Sequence, residues 1–494
     1  MGPLDSTLLQ LCIGTGVLGA FGLVLSKIRN QSIPPLPPGP KSYPLIGNML
    51  SLPRSYEHKG FAELGRQLRS DIISLSFFGI TIVVTNSQEH AIELLEKRSA
   101  IYSDRMCPPA VRETTLMNWG NVISLIGYND TWRKYRRMMH LWMNKQAIPA
   151  FHESQQSQAR LLLQRLLMKC ESSRSSEELN MELYTTISST LLQSIYGYSP
   201  QGWNDPYVVE MQEIIFNLGK AALPTNYWVN MVPALVYTPD WFPGTSWKKT
   251  LLQWGKQKTR VSDSLLRWTK SRMNLGNDNV SIVASLLNSA DQWGTEEKEL
   301  DSIIGEVAVG LFGAGTETTA DTIIIFIMAM MLFPNAQAKA QEEIDMVIGA
   351  SRLPSLADEM SLPYVGRLIQ ELLRWQPIAP LALPHVCTED NLYRGYLIPK
   401  GAIVIGNIWA ISRNEHIYKD PETFDPDRYL DPSVPLPPAF GWGRRKCAGL
   451  HYAEASLFIA IASILATFNI TMCKNGAGDN MVPTTEGMEG HVLY

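Results

Sequence analysis

The chain has 494 residues, with 43 Lys and Arg against 47 Asp and Glu, a formal net charge of −4. So small a charge gives no global electrostatic reason to bind nucleic acid, and 45% hydrophobic against 18% charged residues describes a packed globule rather than a disordered polymer. The six cysteines stand far apart and none has C-x-x-C spacing, which argues against a secreted disulfide scaffold and a zinc or dithiol site.

Residues 8–25 carry no charge and one Gln. At 1.5 Å per residue such a run spans about 27 Å, enough for a bilayer core. A cleaved signal peptide puts its charges ahead of the apolar run, whereas here Asp5 precedes it and Lys27 and Arg29 follow. Residues 1–29 are therefore expected to be a retained single-pass anchor with the body of the chain in the cytosol. Residues 30–40 hold Pro34, Pro35, Pro37, Pro38 and Pro40, the composition of a stiff polyproline II hinge. A reducing cytosol makes the sequons at Asn129 and Asn279 poor acceptors of glycan.

Short β-branched pieces at 72–78, 81–85 and 402–407 predict strands. Helical apolar spacing dominates 87–348. No internal repeat or heptad run is present. The expected fold class is one mainly α body with a small β region.

The longest helical stretch runs over 295–333 and is stopped by Pro334. Its middle reads Phe312-Gly-Ala-Gly-Thr-Glu-Thr-Thr-Ala320. Two glycines each weaken a helix by about 1 kcal/mol relative to Ala, and a carboxylate among apolar residues needs partners. Such a cluster predicts a place where the helix opens to admit a ligand or water. A second membrane helix is the alternative, opposed by three acids in one span, Glu306, Glu317 and Asp321.

Glu371 and Arg374 share a helical face at i and i+3 amid apolar neighbours, and Arg428 follows in Phe424-Asp-Pro-Asp-Arg-Tyr429. These three are expected to form a buried network that supports the next segment rather than to do chemistry. After a proline-rich loop (Pro432, Pro435, Pro437, Pro438) comes Phe440-Gly-Trp-Gly-Arg-Arg-Lys-Cys-Ala-Gly449 and the start of an amphipathic helix. A cysteine at a helix entrance meets free N–H groups and the positive end of the dipole. With Arg444, Arg445 and Lys446 alongside, the Cys447 thiol pKa is expected to fall, favouring the metal-binding thiolate. Gly441, Gly443 and Gly449 are expected where a flat ligand or a tight turn needs room.

Together these features resemble the cytochrome P450 family, over nearly the whole chain. Its cysteine-loop pattern F-G-x-G-x-R-x-C-x-G is met by Phe440, Gly441, Gly443, Arg445, Cys447 and Gly449. A-G-x-[DE]-T-[TS] is met by Ala314, Gly315, Glu317, Thr318 and Thr319; E-x-x-R by Glu371 and Arg374 with Arg428; W-x-x-x-R by Trp132 and Arg136. The resemblance implies the family's mainly α fold, a catalytic domain over 41–494, and haem b (iron protoporphyrin IX) with Cys447 as axial ligand. It implies that Arg445, Trp132, Arg136 and His385 hold the haem propionates, and that Glu317 and Thr318 deliver protons. The implied reaction puts one atom of O2 into a hydrophobic small molecule, the other becoming water.

No Gly-rich dinucleotide fingerprint follows a strand, so electrons are expected from NADPH–cytochrome P450 reductase, docking on Arg133, Lys134, Arg137, Arg444 and Lys446. Residues 227–233 with Trp241 and Phe242 are expected at the lipid bilayer. Residues 123–125, Phe312, 378–383 and a turn at 487–488 are expected around an aliphatic pocket suited to a terpenoid, steroid or aromatic. The sequence style resembles fungal microsomal members, many of which act in secondary metabolism or xenobiotic oxidation, which implies an endoplasmic-reticulum location. The sequence ends soon after that turn, and the final strand of the resembled family is expected to be missing. Alternatives are a reductase-independent isomerase or dehydratase of the same family, a non-catalytic haem carrier, and a membrane transporter.

Overall fold

The computed structural model describes residues 34–168, 176–223, 226–276, 281–474 and 479–483. The expected anchor, the first residues of the hinge and the turn at 487–488 lie outside them. Strands β1 (Ile72–Phe77) and β2 (Ile80–Thr85) pair antiparallel, with Phe77 opposite Ile80. Phe78 and Gly79 reverse the chain with positive φ at both positions, the turn whose twist suits two neighbouring strands. Helices then follow in order: α1 (Asp130–Met143), α2 (His152–Met168), α3 (Ser176–Tyr196), α4 (Pro206–Ala222), α5 (Ser246–Asn274), α6 (Glu297–Leu332), α7 (Pro334–Val347) and α8 (Pro363–Trp375). Beyond them lie β3 (His385–Val386), the hairpin β4 (Asn391–Tyr393) and β5 (Tyr396–Ile398), β6 (Ile403–Gly406) and α9 (Leu450–Thr467).

β6 joins the sheet parallel to β2, Ile82 opposite Ile403, and β3 lies antiparallel on its far side with His385 opposite Val404. The strands at 72–77, 80–85 and 403–406 match expectation within a residue or two. β3, β4 and β5 are two or three residues long, too short to show a period of two. One apolar cluster runs through the helices, and two smaller ones include residues of the sheet.

The stretch expected at 295–333 is α6, which crosses the core with α3, α5 and α9 packed along it. Pro334 ends it by lacking an N–H and crowding the preceding turn. The expected opening at the polar insert is not there: the helix is α throughout. The threonine hydroxyls donate back along the helix instead, Thr316 to the Phe312 carbonyl (2.8 Å), Thr318 to Ala314 (2.7 Å) and Thr322 to Thr318 (2.6 Å). That satisfies each hydroxyl without breaking the ladder. Two of the three acids are partnered as well. Glu306 pairs with Lys258 of α5 at 2.5 Å, and Asp321 accepts from the Tyr184 phenol of α3 at 2.8 Å. By length and composition α6 and α9 are apolar enough to cross a membrane, but most of each is buried inside the protein, as in core helices. Apart from its first turn and its last two residues, α9 is buried: from Ala455 to Leu465 every side chain is, so its amphipathic start continues as a core rod.

Candidate functional site

The cysteine loop is shaped by its glycines and its backbone bonds. Gly441 and Gly443 have φ of 71° and 56°, and a Cβ on Gly443 would stand 2.3 Å from the Leu95 carbonyl oxygen, so no other residue fits there. Gly449 has no such constraint: a Cβ there would meet Cys447 Sγ at an ordinary 3.9 Å. The Cys447 amide donates to the Phe440 carbonyl at 2.9 Å, closing the loop on itself. Cys447 then stands two residues ahead of Gly449, the N-cap of α9, with the Gly449 and Leu450 amides donating to its sulfur.

The thiol pKa does not fall as expected. Burial raises it, and this outweighs the two amides and the charges of Arg136 and Lys446. Arg444 and Arg445 do not help, because they turn elsewhere: Arg444 donates to the Tyr128 hydroxyl, and Arg445 to the carbonyls of Ser103 (2.7 Å), Ile126 (2.7 Å) and Ile123 (3.4 Å). A thiol so placed gives up its proton when a metal ion replaces it. Cys447 is surrounded by protein yet accessible, and the same holds for Ala314 on the otherwise buried α6. Both therefore border an interior cleft. Ile123 links the two walls: its carbonyl accepts from Arg445, and its side chain lies against Gly310, one turn before Ala314.

Cations converge beside the cysteine. Arg136 of α1 donates to the Lys446 carbonyl at 2.6 Å, and the Arg445 guanidinium lies 4.6 Å above the Trp132 ring. Burial, then the nearby Arg105 and Arg136, push Arg445 down to about 9. His385 enters from β3, its Nδ1 2.6 Å from the Tyr102 carbonyl. Burial first, and then Arg105, hold its pKa well below that of a free imidazole. With Nδ1–H donating to that carbonyl, His385 donates to an anion through Nε2 only as the imidazolium. Three arginines and a histidine in one partly buried place make a site for carboxylates.

Arg105 is the member that sequence reading missed. It donates to the carbonyls of Leu383 and Pro384 (2.6 Å), just before His385, while its neighbour Asp104 accepts from the Tyr128 amide at 2.7 Å. The polar Ser103-Asp-Arg105 triplet between Tyr102 and Met106 was the available signal. Phe312, expected at the pocket, is fully buried in the core; Ala314 is the accessible residue of that segment.

The network around Glu371 is complete. Arg374 grips its carboxylate with two bonds of 2.8 Å, Arg428 Nε reaches both oxygens at 3.0 Å, and the Asp425 amide adds a fourth donor at 2.9 Å. The remaining guanidinium N–H groups go to carbonyls: Ser412, Pro421 and Thr423 for Arg374, Lys419 and Thr423 for Arg428. Glu371 and Arg374 are wholly buried. The network clamps the 412–428 segment onto α8, directly ahead of the proline-rich loop and Cys447.

On α6, Thr318 follows Ala314 by one turn and is half-exposed. Glu317 beside it has its pKa raised to about 7, by burial first and by the nearby Asp321 second.

The cytochrome P450 family model matches residues 37–489. Similar proteins include cytochrome P450 monooxygenase 98 of Postia placenta, 35% identical over 97% of this chain and 92% of its own, and cytochrome P450 monooxygenase COX2 of Coprinopsis cinerea, 34% identical over 93% and 86%. A cytochrome P450 monooxygenase of Armillaria gallica is 33% identical over 93% and 90%. This chain belongs to the cytochrome P450 family. It is an oxidoreductase of the monooxygenase class, and with the family come a haem, O2 and a redox partner. The residues present suit that group: Cys447 offers a sulfur donor, Ala314 a small accessible side chain on α6, and Arg105, Arg136, Arg445 and His385 a cationic cluster able to take carboxylates.

Proposed function

We propose that this P450 inserts one atom of O2 into a hydrophobic small molecule, with haem b held by Cys447 and electrons passed from NADPH by cytochrome P450 reductase. The observation that carries the reading is the accessible sulfur of Cys447, surrounded by protein, with Arg136 bonded to the next-door Lys446 carbonyl and Ala314 accessible on α6. A thiolate-ligated haem supplies the O–O cleavage and the oxidising power. The protein's part is to bind, orient and protonate. Cys447 would hold the iron through its sulfur, whose charge the Gly449 and Leu450 amides would balance. Arg445, Arg136, Arg105 and Trp132 would hold the propionates, and two carboxylates there would raise the His385 pKa so that its imidazolium could donate as well.

Substrate, O2, two electrons and two protons become hydroxylated product and water. The protons come through Glu317 and Thr318. Thr318 donates its own hydrogen to the Ala314 carbonyl, so its oxygen accepts from an ordered water, and Glu317 is the acid that replenishes that water. A haem carrier or an isomerase has no use for this pair.

The exposed Arg133, Arg137, Arg444 and Lys446 share a face, because Arg136 ties α1 to the cysteine loop. That basic face suits an acidic reductase surface. Trp228, Tyr237, Trp241 and Phe242 are exposed aromatics suited to a bilayer interface, with residues 1–29 as anchor, 30–40 as hinge and the endoplasmic reticulum as location. The substrate we propose is a terpenoid, steroid or aromatic, because the residues expected around the pocket are mostly aliphatic, with a role in secondary metabolism or xenobiotic oxidation.

Thr318→Ala tests the reading. Positioned proton transfer contributes about 10²–10⁴-fold, and Thr318 holds the water through which it runs, so product formation is expected to fall at least about 10²-fold while NADPH consumption continues and hydrogen peroxide accumulates. In the wild type, product per NADPH is expected to decline as pH rises through about 7, where Glu317 loses its proton. Unchanged product yield in Thr318→Ala would remove the hydroxyl from the mechanism.

A further inference from the structure

We propose that Asp321, held by the Tyr184 phenol, is a positioning residue that keeps the proton of a carboxyl pair on Glu317, next to Thr318. This rests on the proton-delivery reading above and extends it to two residues that reading does not use. Glu317 and Asp321 are four residues apart on α6, so their side chains are neighbours on one face. Like charges at that spacing disfavour each other, so one of the two carboxyls is driven toward its protonated form.

What decides which one is the third group. Tyr184 crosses from α3 and donates to Asp321 Oδ1 at 2.8 Å. A hydrogen bond to a carboxylate favours its charged form, so the negative charge settles on buried Asp321 and the proton on Glu317. Burial and Asp321 itself push the phenol far above its ordinary range, so it stays a donor. Glu317 in turn is raised by burial and then by Asp321. The titratable groups that bear on Glu317 and on the Tyr184 phenol are Asp321 for the first, and Asp321 and Glu317 for the second. Lys258 and Glu306, about three turns away along α6, are engaged with each other. The acid nearest Thr318 is thereby kept loaded near neutral pH, and the acid a turn further holds the charge.

The test is an infrared pH titration of the haem-loaded protein, following the protonated-carboxyl band that Glu317→Gln removes. In the wild type this band is expected to disappear with a midpoint of about 7. In Asp321→Asn the midpoint is expected about one pH unit lower, and the fall in product per NADPH moves with it. In Tyr184→Phe, which removes one oxygen and keeps the packing, the band is expected to weaken at neutral pH as Asp321 takes a share of the proton. A band with the same midpoint and intensity in both variants as in wild type would overturn the proposal, as would a Glu317→Gln difference spectrum with no protonated carboxyl at neutral pH. A shifted band in Asp321→Asn together with normal product yield in Glu317→Gln would support the placement of the proton while defeating the catalytic use made of it.

Discussion

Glu371→Ala is expected to destabilise the protein by about 3–5 kcal/mol, the effect of stripping one partner from a buried ion pair. The substitution leaves Arg374 and Arg428 as two guanidinium groups in a space closed to water, and the Asp425 amide loses its acceptor as well. Against a total stability of about 5–15 kcal/mol this is severe, and the damage is local to the segment leading into the cysteine loop. Haem is therefore expected to be lost at lower urea than in wild type, ahead of the helical signal. Glu371→Gln keeps the shape and some hydrogen bonding but not the charge, and is expected to fall between the two. Equal urea midpoints for Glu371→Ala and wild type would mean that the network does not brace the loop.

Cys447→Ser is expected to abolish monooxygenation altogether while leaving the fold in place. The serine oxygen still accepts from the Gly449 and Leu450 amides, and the loop bond from residue 447 to Phe440 is a backbone one. What is lost is the sulfur anion: a hydroxyl keeps its proton at any pH the protein survives, and oxygen does not give the iron the same electron density. Thermal unfolding within a few degrees of wild type, together with product below detection, is the expected pair of results. Residual turnover at even a tenth of the wild-type rate would show that the ligand lies elsewhere.

The parts of this site that could be read from the sequence are those carried by neighbours in the chain. Gly441 and Gly443 announce a turn, the run ending at Pro334 announces a long helix, and Glu371 with Arg374 announces a pair on one face. Arg445 and Trp132 were expected in one place for reasons of family pattern, and the structure does bring them within 4.6 Å. Arg105 was not legible, because its meaning lies in contacts with Leu383 and Pro384, far along the chain on another element. The direction of the Cys447 shift was misread for a related reason. The local charges and helix entrance are visible in sequence, but the burial that overrides them is a property of the packed core. The insert in α6 misled in the opposite sense: its hydroxyls suggested a break, and back-bonding to carbonyls one turn earlier makes a break unnecessary.

The central claim, that the Cys447 sulfur is the ligand of a haem iron, is tested most directly by the absorption difference spectrum of the purified wild-type protein, reduced and exposed to carbon monoxide. A strongly red-shifted Soret band, the signature of thiolate ligation, is the expected result. A Soret band at the unshifted position given by an imidazole ligand, or no porphyrin absorption at all, would contradict it.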